Sequence, residues 1–131
     1  MSLQATLRLR LSNTDSHYAG ELVAGAKILE LFGDVATELT IIHDGDEGLL
    51  RSYENVEFLA PVYAGDFLEV SGKITKTGKT SRTISFEAYK VITPAKDAKH
   101  PSACDVLEQP ILVARATGTC VVLQEKQRKM N

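Results

Sequence analysis

Only two cysteines occur in the 131 residues, Cys104 and Cys120. Two are too few for a disulfide framework, and with no CxxC pair and no zinc-type spacing they offer no metal site. Cys120 lies in an apolar run and reads as a small buried hydrophobe. Cys104 lies in a polar stretch with no evident partner to activate it. Excess positive charge is also lacking: 15 Lys and Arg stand against 17 Asp and Glu, for a net charge of -2. That argues against nucleic acid as a partner, because phosphate neutralisation needs clustered cations. No apolar run approaches the length of a membrane span, and no signal-type apolar segment opens the sequence. A reducing, cytoplasmic setting without a membrane partner is the expectation. Internal repeats, low-complexity stretches and a second composition are absent too, so residues 1–131 are expected to form one domain around one core.

What is present is a change of hydrophobic period. Residues 3–11 alternate strictly, with Leu3, Ala5, Leu7, Leu9 and Leu11 on one side and Gln4, Thr6, Arg8 and Arg10 on the other. Period two predicts a half-buried strand. From Glu21 to Leu39 the period becomes helical: Ile28, Leu29, Phe32, Val35, Ala36 and Leu39 form one stripe, opposed by Lys27, Glu30, Asp34, Thr37 and Glu38. Gly20, Gly25 and Gly33 lie in or beside this segment, each costing about 1 kcal/mol relative to Ala in a helix interior, which points to close packing against a neighbour. Asp44 to Gly48 is a turn. Strands are then predicted over 49–59, 67–75, 82–92 and 110–123, with turns at 60–66 and 78–81. Residues 93–109 read as a long polar loop, and 124–131 as a polar tail that frays. One strand, one long helix and four strands imply an α+β domain: an antiparallel sheet wrapped around a single helix. One helix cannot cover both faces of such a sheet, so at least a dimer is expected.

Particular segments carry a resemblance. Val56 to Leu68, with Pro61-Val62 and Gly65-Asp66, resembles the strand-turn-strand signature V-x-F-x-x-P-V-x-x-G-D-x-L of hotdog-fold acyl-CoA enzymes, and Gly78-Lys79-Thr80-Ser81 resembles the turn that follows it. Asp15 to Ala26, Leu31 to Leu39, Asp44 to Asp46, Phe86 to Val91 and Ala114 to Thr119 are similar to the β-aminoacyl-CoA ammonia-lyases, a small hotdog group. That group acts on β-alanyl-CoA and, in lysine fermentation, on 3-aminobutyryl-CoA. The resemblance spans nearly the whole chain apart from 93–109 and the tail. It implies an acyl-CoA substrate, loss of ammonia from a 3-aminoacyl-CoA to give an enoyl-CoA such as crotonyl-CoA, and a site shared between subunits of a dimer or hexamer.

Such chemistry needs a base for the α-proton, a group that accommodates the leaving ammonium, and donors for the thioester oxygen. No metal or organic cofactor is required, since the thioester itself acidifies the α-proton. Hotdog enzymes receive the thioester at the N-terminus of the central helix, where free N–H groups point outward. Here that place is Gly20, Glu21, Leu22 and Val23. Asp34 and Glu38 are like charges at i, i+4, mildly unfavourable on a helix and therefore candidates for acid/base work, against the alternative of a solvated acidic face. His17 and Tyr18 precede the helix, where related hydratases place a catalytic His; an exposed loop position is the alternative. Glu57 alternates with core-facing Val56 and Phe58, and a solvent-facing carboxylate is the simpler reading. Asp15 reads as a cap and Lys27 with Glu30 as a surface pair. Lys79, Ser81 and Arg82 in the turn after Gly78 are candidates for the CoA phosphates, with Lys90 and Arg115 behind them. A helix carboxylate directing water would instead make an acyl-CoA thioesterase, and a non-catalytic acyl-CoA-binding module is a third reading.

Overall fold

The computed structural model describes residues 3–129. Strand β1 (Gln4–Arg10) leads through two short 3-10 turns to a single helix, α1 (Gly25–Asp44); β2 (Leu49–Phe58), β3 (Phe67–Thr77), β4 (Ser81–Pro94) and β5 (Cys104–Val121) follow. The strands form one fully antiparallel sheet in the order β1-β3-β4-β5-β2. The α+β hotdog expectation holds: one helix lies along one face of a five-stranded sheet.

The helical stripe explains the packing. Ile28, Leu31, Phe32, Val35, Ala36 and Leu39 are buried, and they meet the inward residues of every second strand position, among them Leu68, Val70, Ile84, Phe86, Ala88, Ala114 and Ala116. Phe32 stacks on Phe86 with ring centroids 5.0 Å apart. Burying side chains of this size contributes roughly 1.5–3 kcal/mol each, and a one-residue slip of any central strand would turn its apolar set outward. The other face of the sheet carries Arg8, Glu69, Ser71, Glu87 and Arg115 in the alternate register positions.

Four boundaries differ from the sequence reading. The helix starts at Gly25, four residues later than the periodicity suggested, because Gly20 (φ 72°) and Glu21 (φ 65°) both adopt left-handed backbone that a helix cannot contain. It ends at Asp44, so that residue belongs to the helix and not to the turn; Gly45, left-handed at φ 75°, stops it by returning its N–H to Ile41 O. The stretch 93–109 is about half strand: β4 runs to Pro94 and β5 begins at Cys104, leaving a shorter loop over 95–103. Polar composition masked this because the extension pairs only β4 with β5. The tail does not fray over its described part. Arg128 N–H donates to Asp44 O at 2.8 Å, Arg128 Nη1 to Gly45 O at 3.0 Å and Lys129 Nζ to Ile42 O at 3.2 Å. Residues 130 and 131 lie outside the described residues.

Candidate active site

Ahead of the helix the chain doubles back on itself. His17 N–H and Tyr18 N–H both donate to Leu22 O at 3.0 Å, and Ser16 bridges to Val23. This turn is tied to the loop after β2, with Val23 N–H on Val62 O at 2.8 Å and Ala64 N–H on Glu21 O at 3.0 Å. That loop is itself clamped from below. Asp66 is buried; its Oδ2 accepts from Tyr63 N–H at 2.8 Å and lies 3.1 Å from Lys90 Nζ, while its Oδ1 accepts from Thr93 Oγ1 at 2.6 Å. Lys90 also donates to Pro61 O at 2.9 Å. Lys90 is therefore a structural clamp and not a phosphate ligand, because its charge is already neutralised in the interior.

Between these segments lies a groove of about 320 Å³. Leu22, Val23, Gly25 and Ile28 form one wall; Phe58, Leu59, Ala60 and Pro61 form the other. The helix opens into it without a cap. Ala24 at the N-cap has no side-chain acceptor, and the first backbone bond is Lys27 N–H to Ala24 O at 3.0 Å. The N–H groups of Gly25 and Ala26 ahead of it are left for solvent or a ligand, at the positive end of the helix dipole. Phe58 explains Gly25: a Cβ there would fall 2.6 Å from ring atoms Cε1 and Cζ. Close packing thus accounts for Gly25, whereas Gly20 has nothing within 4 Å and serves its left-handed turn instead.

The structure brings Leu22 and Val23 into the groove wall; Gly20 and Glu21 precede them on the same turn, where His17 and Tyr18 are exposed. It places the other candidates elsewhere. Asp34 and Glu38 project from the helix face turned away from the sheet, about 14 and 20 Å along the axis from Gly25 at 1.5 Å per residue. Glu57 is on the far face of the sheet, where Arg115 Nε meets its Oε1 at 2.7 Å. Lys79 and Ser81 lie beyond the other end of the helix, about 30 Å from Gly25 by helix length. Arg82 corrects the sequence reading most sharply. It is buried, with Nε and Nη2 each 2.9 Å from the two oxygens of Asp44 and Nη1 donating to Gly78 O and Ser81 O. All its donors face inward, so it cannot meet a phosphate. Asp15 accepts from Ser12 N–H at 2.8 Å and pairs with Lys27 at 3.3 Å, while Lys27 also meets Glu30 at 3.2 Å.

Tyr53 was not singled out from the sequence, because an aromatic on a strand reads as core. Its hydroxyl donates to Leu29 O at 2.6 Å, fastening β2 to the helix. Burial, then the charges of Cys120 and Asp34, push its pKa up to about 12.

Residues 20–92 match the thioesterase superfamily. A 3-aminobutyryl-CoA ammonia lyase of Acetoanaerobium sticklandii is 60% identical over 127 residues, spanning 97% of this chain and 100% of that one. The chain belongs to the ammonia-lyase branch of the thioesterase superfamily. Within that family, the structure of a β-alanyl-CoA:ammonia lyase from Clostridium propionicum superposes with a TM-score of 0.93 at 39% identity, covering 99% of this chain and 92% of that one. A hexameric broad-specificity acyl-coenzyme A thioesterase shares the fold at a TM-score of 0.73 and 18% identity, over 95% and 83% of the two chains. Among the described residues no helix is long and apolar enough to cross a membrane, and no cluster of three His, Cys, Asp or Glu could hold a metal ion.

Proposed function

We propose that this lyase eliminates ammonia from a 3-aminoacyl-CoA, with 3-aminobutyryl-CoA giving crotonyl-CoA, in amino-acid fermentation. The observation that carries this reading is 60% identity across the full length of a protein of that name. The groove supports it: an uncapped helix end offers Gly25 and Ala26 N–H to the thioester oxygen, where negative charge develops as the α-proton leaves. The thioester supplies the acidity, so the reaction calls on no cofactor beyond the CoA that is part of the substrate.

A carboxylate must then come from somewhere other than the same chain's Asp34, which lies about 14 Å from Gly25. A second copy resolves this. β2 pairs only with β5, so its other edge offers unpaired N–H and C=O groups. Leu49, Leu50, Phe58 and Leu59 are exposed at the two ends of that strand. Two copies joined along β2 bring the outer helix face of one toward the groove of the other. In this arrangement Asp34 and Glu38 of one subunit serve the thioester held by its partner, receiving the β-ammonium and exchanging the α-proton. His17 and Tyr18 lie on the turn whose later residues, Leu22 and Val23, form one wall of the groove. A homodimer is the smallest active unit, and hexamers of three such dimers are compatible with it. Glu57, Lys79 and Ser81 have no part in this groove within one chain.

The test mixes crotonyl-CoA with ammonium and follows enoyl absorbance beside free thiol. Ammonium-dependent loss of absorbance without thiol is expected; thiol release would mark a hydrolase and end the proposal. Asp34→Asn is expected to lower turnover roughly a hundredfold or more, as for loss of a general acid or base, with unchanged circular dichroism. Near-normal turnover would remove Asp34 from the mechanism.

A further inference from the structure

We propose that Phe58 sets the length of acyl chain that the groove accepts. The inference rests on the groove being the acyl site. Phe58 is on the inward face of β2 yet remains 53% exposed. Its ring lies directly over the first residue of the helix, so closely that a Cβ on Gly25 would meet Cε1 and Cζ at 2.6 Å and Cδ1 at 3.0 Å. Gly25 carries one of the two amides that face the thioester oxygen. Any carbon chain attached to that carbonyl must therefore pass the ring within its first few atoms. The rest of the lining is apolar, and part of it is small: Gly25, Ala60 and Pro61. Apolar walls attract longer chains without directional preference. A length limit must accordingly be steric, and Phe58 is the largest side chain able to impose it.

The test uses saturated butyryl-, hexanoyl- and octanoyl-CoA, which carry neither a β-amino group nor a double bond, so binding is read independently of elimination. Calorimetric titration of the intact oligomer, with its mass checked for each variant, is expected to show wild-type affinity falling as the chain lengthens. In Phe58→Ala the hexanoyl-to-butyryl affinity ratio should rise about tenfold, the scale of a methylene or two admitted to an apolar pocket. Phe58→Leu, which keeps the strand packed, should give an intermediate rise. Two results overturn the proposal: an unchanged ratio in both variants, or wild-type protein binding octanoyl-CoA as tightly as butyryl-CoA. Either stands whether or not ammonium adds to crotonyl-CoA, so this inference and the lyase reading fail separately.

Discussion

Replacing Arg82 by Leu separates a structural arginine from a phosphate-binding one. Arg82 makes two 2.9 Å contacts with Asp44 and donates to Gly78 O and Ser81 O at 2.8 and 3.0 Å. Removing it leaves the Asp44 carboxylate buried with its bidentate partner gone and takes one donor from each of two turn carbonyls, Ser81 O keeping the Gly78 N–H at 2.8 Å. Breaking a buried pair from one side costs about 3–5 kcal/mol. For a chain of this size that corresponds to a Tm lower by roughly 10–20 °C. The loss exceeds what removal of the hydrogen bonds alone would give, about 1 kcal/mol each, because the abandoned charge dominates. Since association contributes to the stability of an oligomer, wild type and variant must be compared at equal protein concentration. Thermal unfolding by circular dichroism is the primary measurement, and the KM for the acyl-CoA at a temperature where both remain folded is the second. The expected pattern is a large Tm drop with KM within about threefold of wild type. Asp44→Leu combined with Arg82→Leu should recover much of the stability, because an apolar pair leaves no charge stranded. A Tm within a few degrees of wild type together with a tenfold rise in KM would refute the structural assignment.

Acid should destabilise the protein through the same pair. Burial alone would raise the Asp44 carboxyl, but the Arg82 and His43 contacts outweigh it and hold the group below its ordinary value of 3.8; at Asp15 the Ser12 N–H leads in the same direction. A depressed carboxylate contributes stability that is complete above 3.8 and is lost as pH falls through the folded value. Tm should therefore drop steeply below about pH 4, and the drop should be shallower in Asp44→Asn; equal acid slopes would contradict this origin. Thiol titration gives another check. Cys104 is exposed, whereas Cys120 is buried and its thiol is pushed up to about 11 by that burial. One thiol per chain should react rapidly with an aromatic disulfide at pH 8 and the second only in denaturant; two fast thiols would place Cys120 at the surface.

The sequence disclosed the architecture because period two and period 3.6 are both written plainly in it. Leu3 to Leu11 and Ile28 to Leu39 carry those periods with few interruptions, and the hydrophobic faces they define are the ones that meet in the core. Boundaries were less legible where a local conformation overrode the pattern. Nothing in Glu21 announces a left-handed backbone; only its neighbour Gly20 does. The site divided in the same way. Residues joined by chain continuity, Gly20 to Val23, could be located together from sequence alone. Phe58 to Pro61 could not, since their approach depends on Val23 pairing with Val62 across 39 residues. Arg82 failed for a different reason. A turn basic residue looks like a phosphate ligand until its distant partner, Asp44, is known. Lys90 with Asp66 repeats the lesson, and in both cases composition gave the charge but only the fold gave its neighbour.

The two ends of the helix differ in how their backbone groups are satisfied. At the C-terminal end the orphan carbonyls are nearly all engaged: Gly45 N–H takes Ile41 O, Lys129 takes Ile42 O, and Arg128 takes Asp44 O and Gly45 O. Cationic side chains there also complement the negative end of the dipole. At the N-terminal end no Ser, Thr, Asp or Asn occupies the cap; Ala24 does. A conventional cap at that position is worth roughly 0.5–2 kcal/mol, and its side chain would take up the Ala26 or Lys27 amide beside the groove. One helix end closed by the chain's own tail, and the other left open beside an apolar cavity, is the arrangement expected if stability is secured where no ligand binds. Ala24→Asp should satisfy the Ala26 amide from within the chain and place a negative charge beside the Gly25 amide, raise Tm by a few degrees, and weaken acyl-CoA binding. A variant stabilised in this way that binds acyl-CoA unchanged would show that the thioester is held somewhere else.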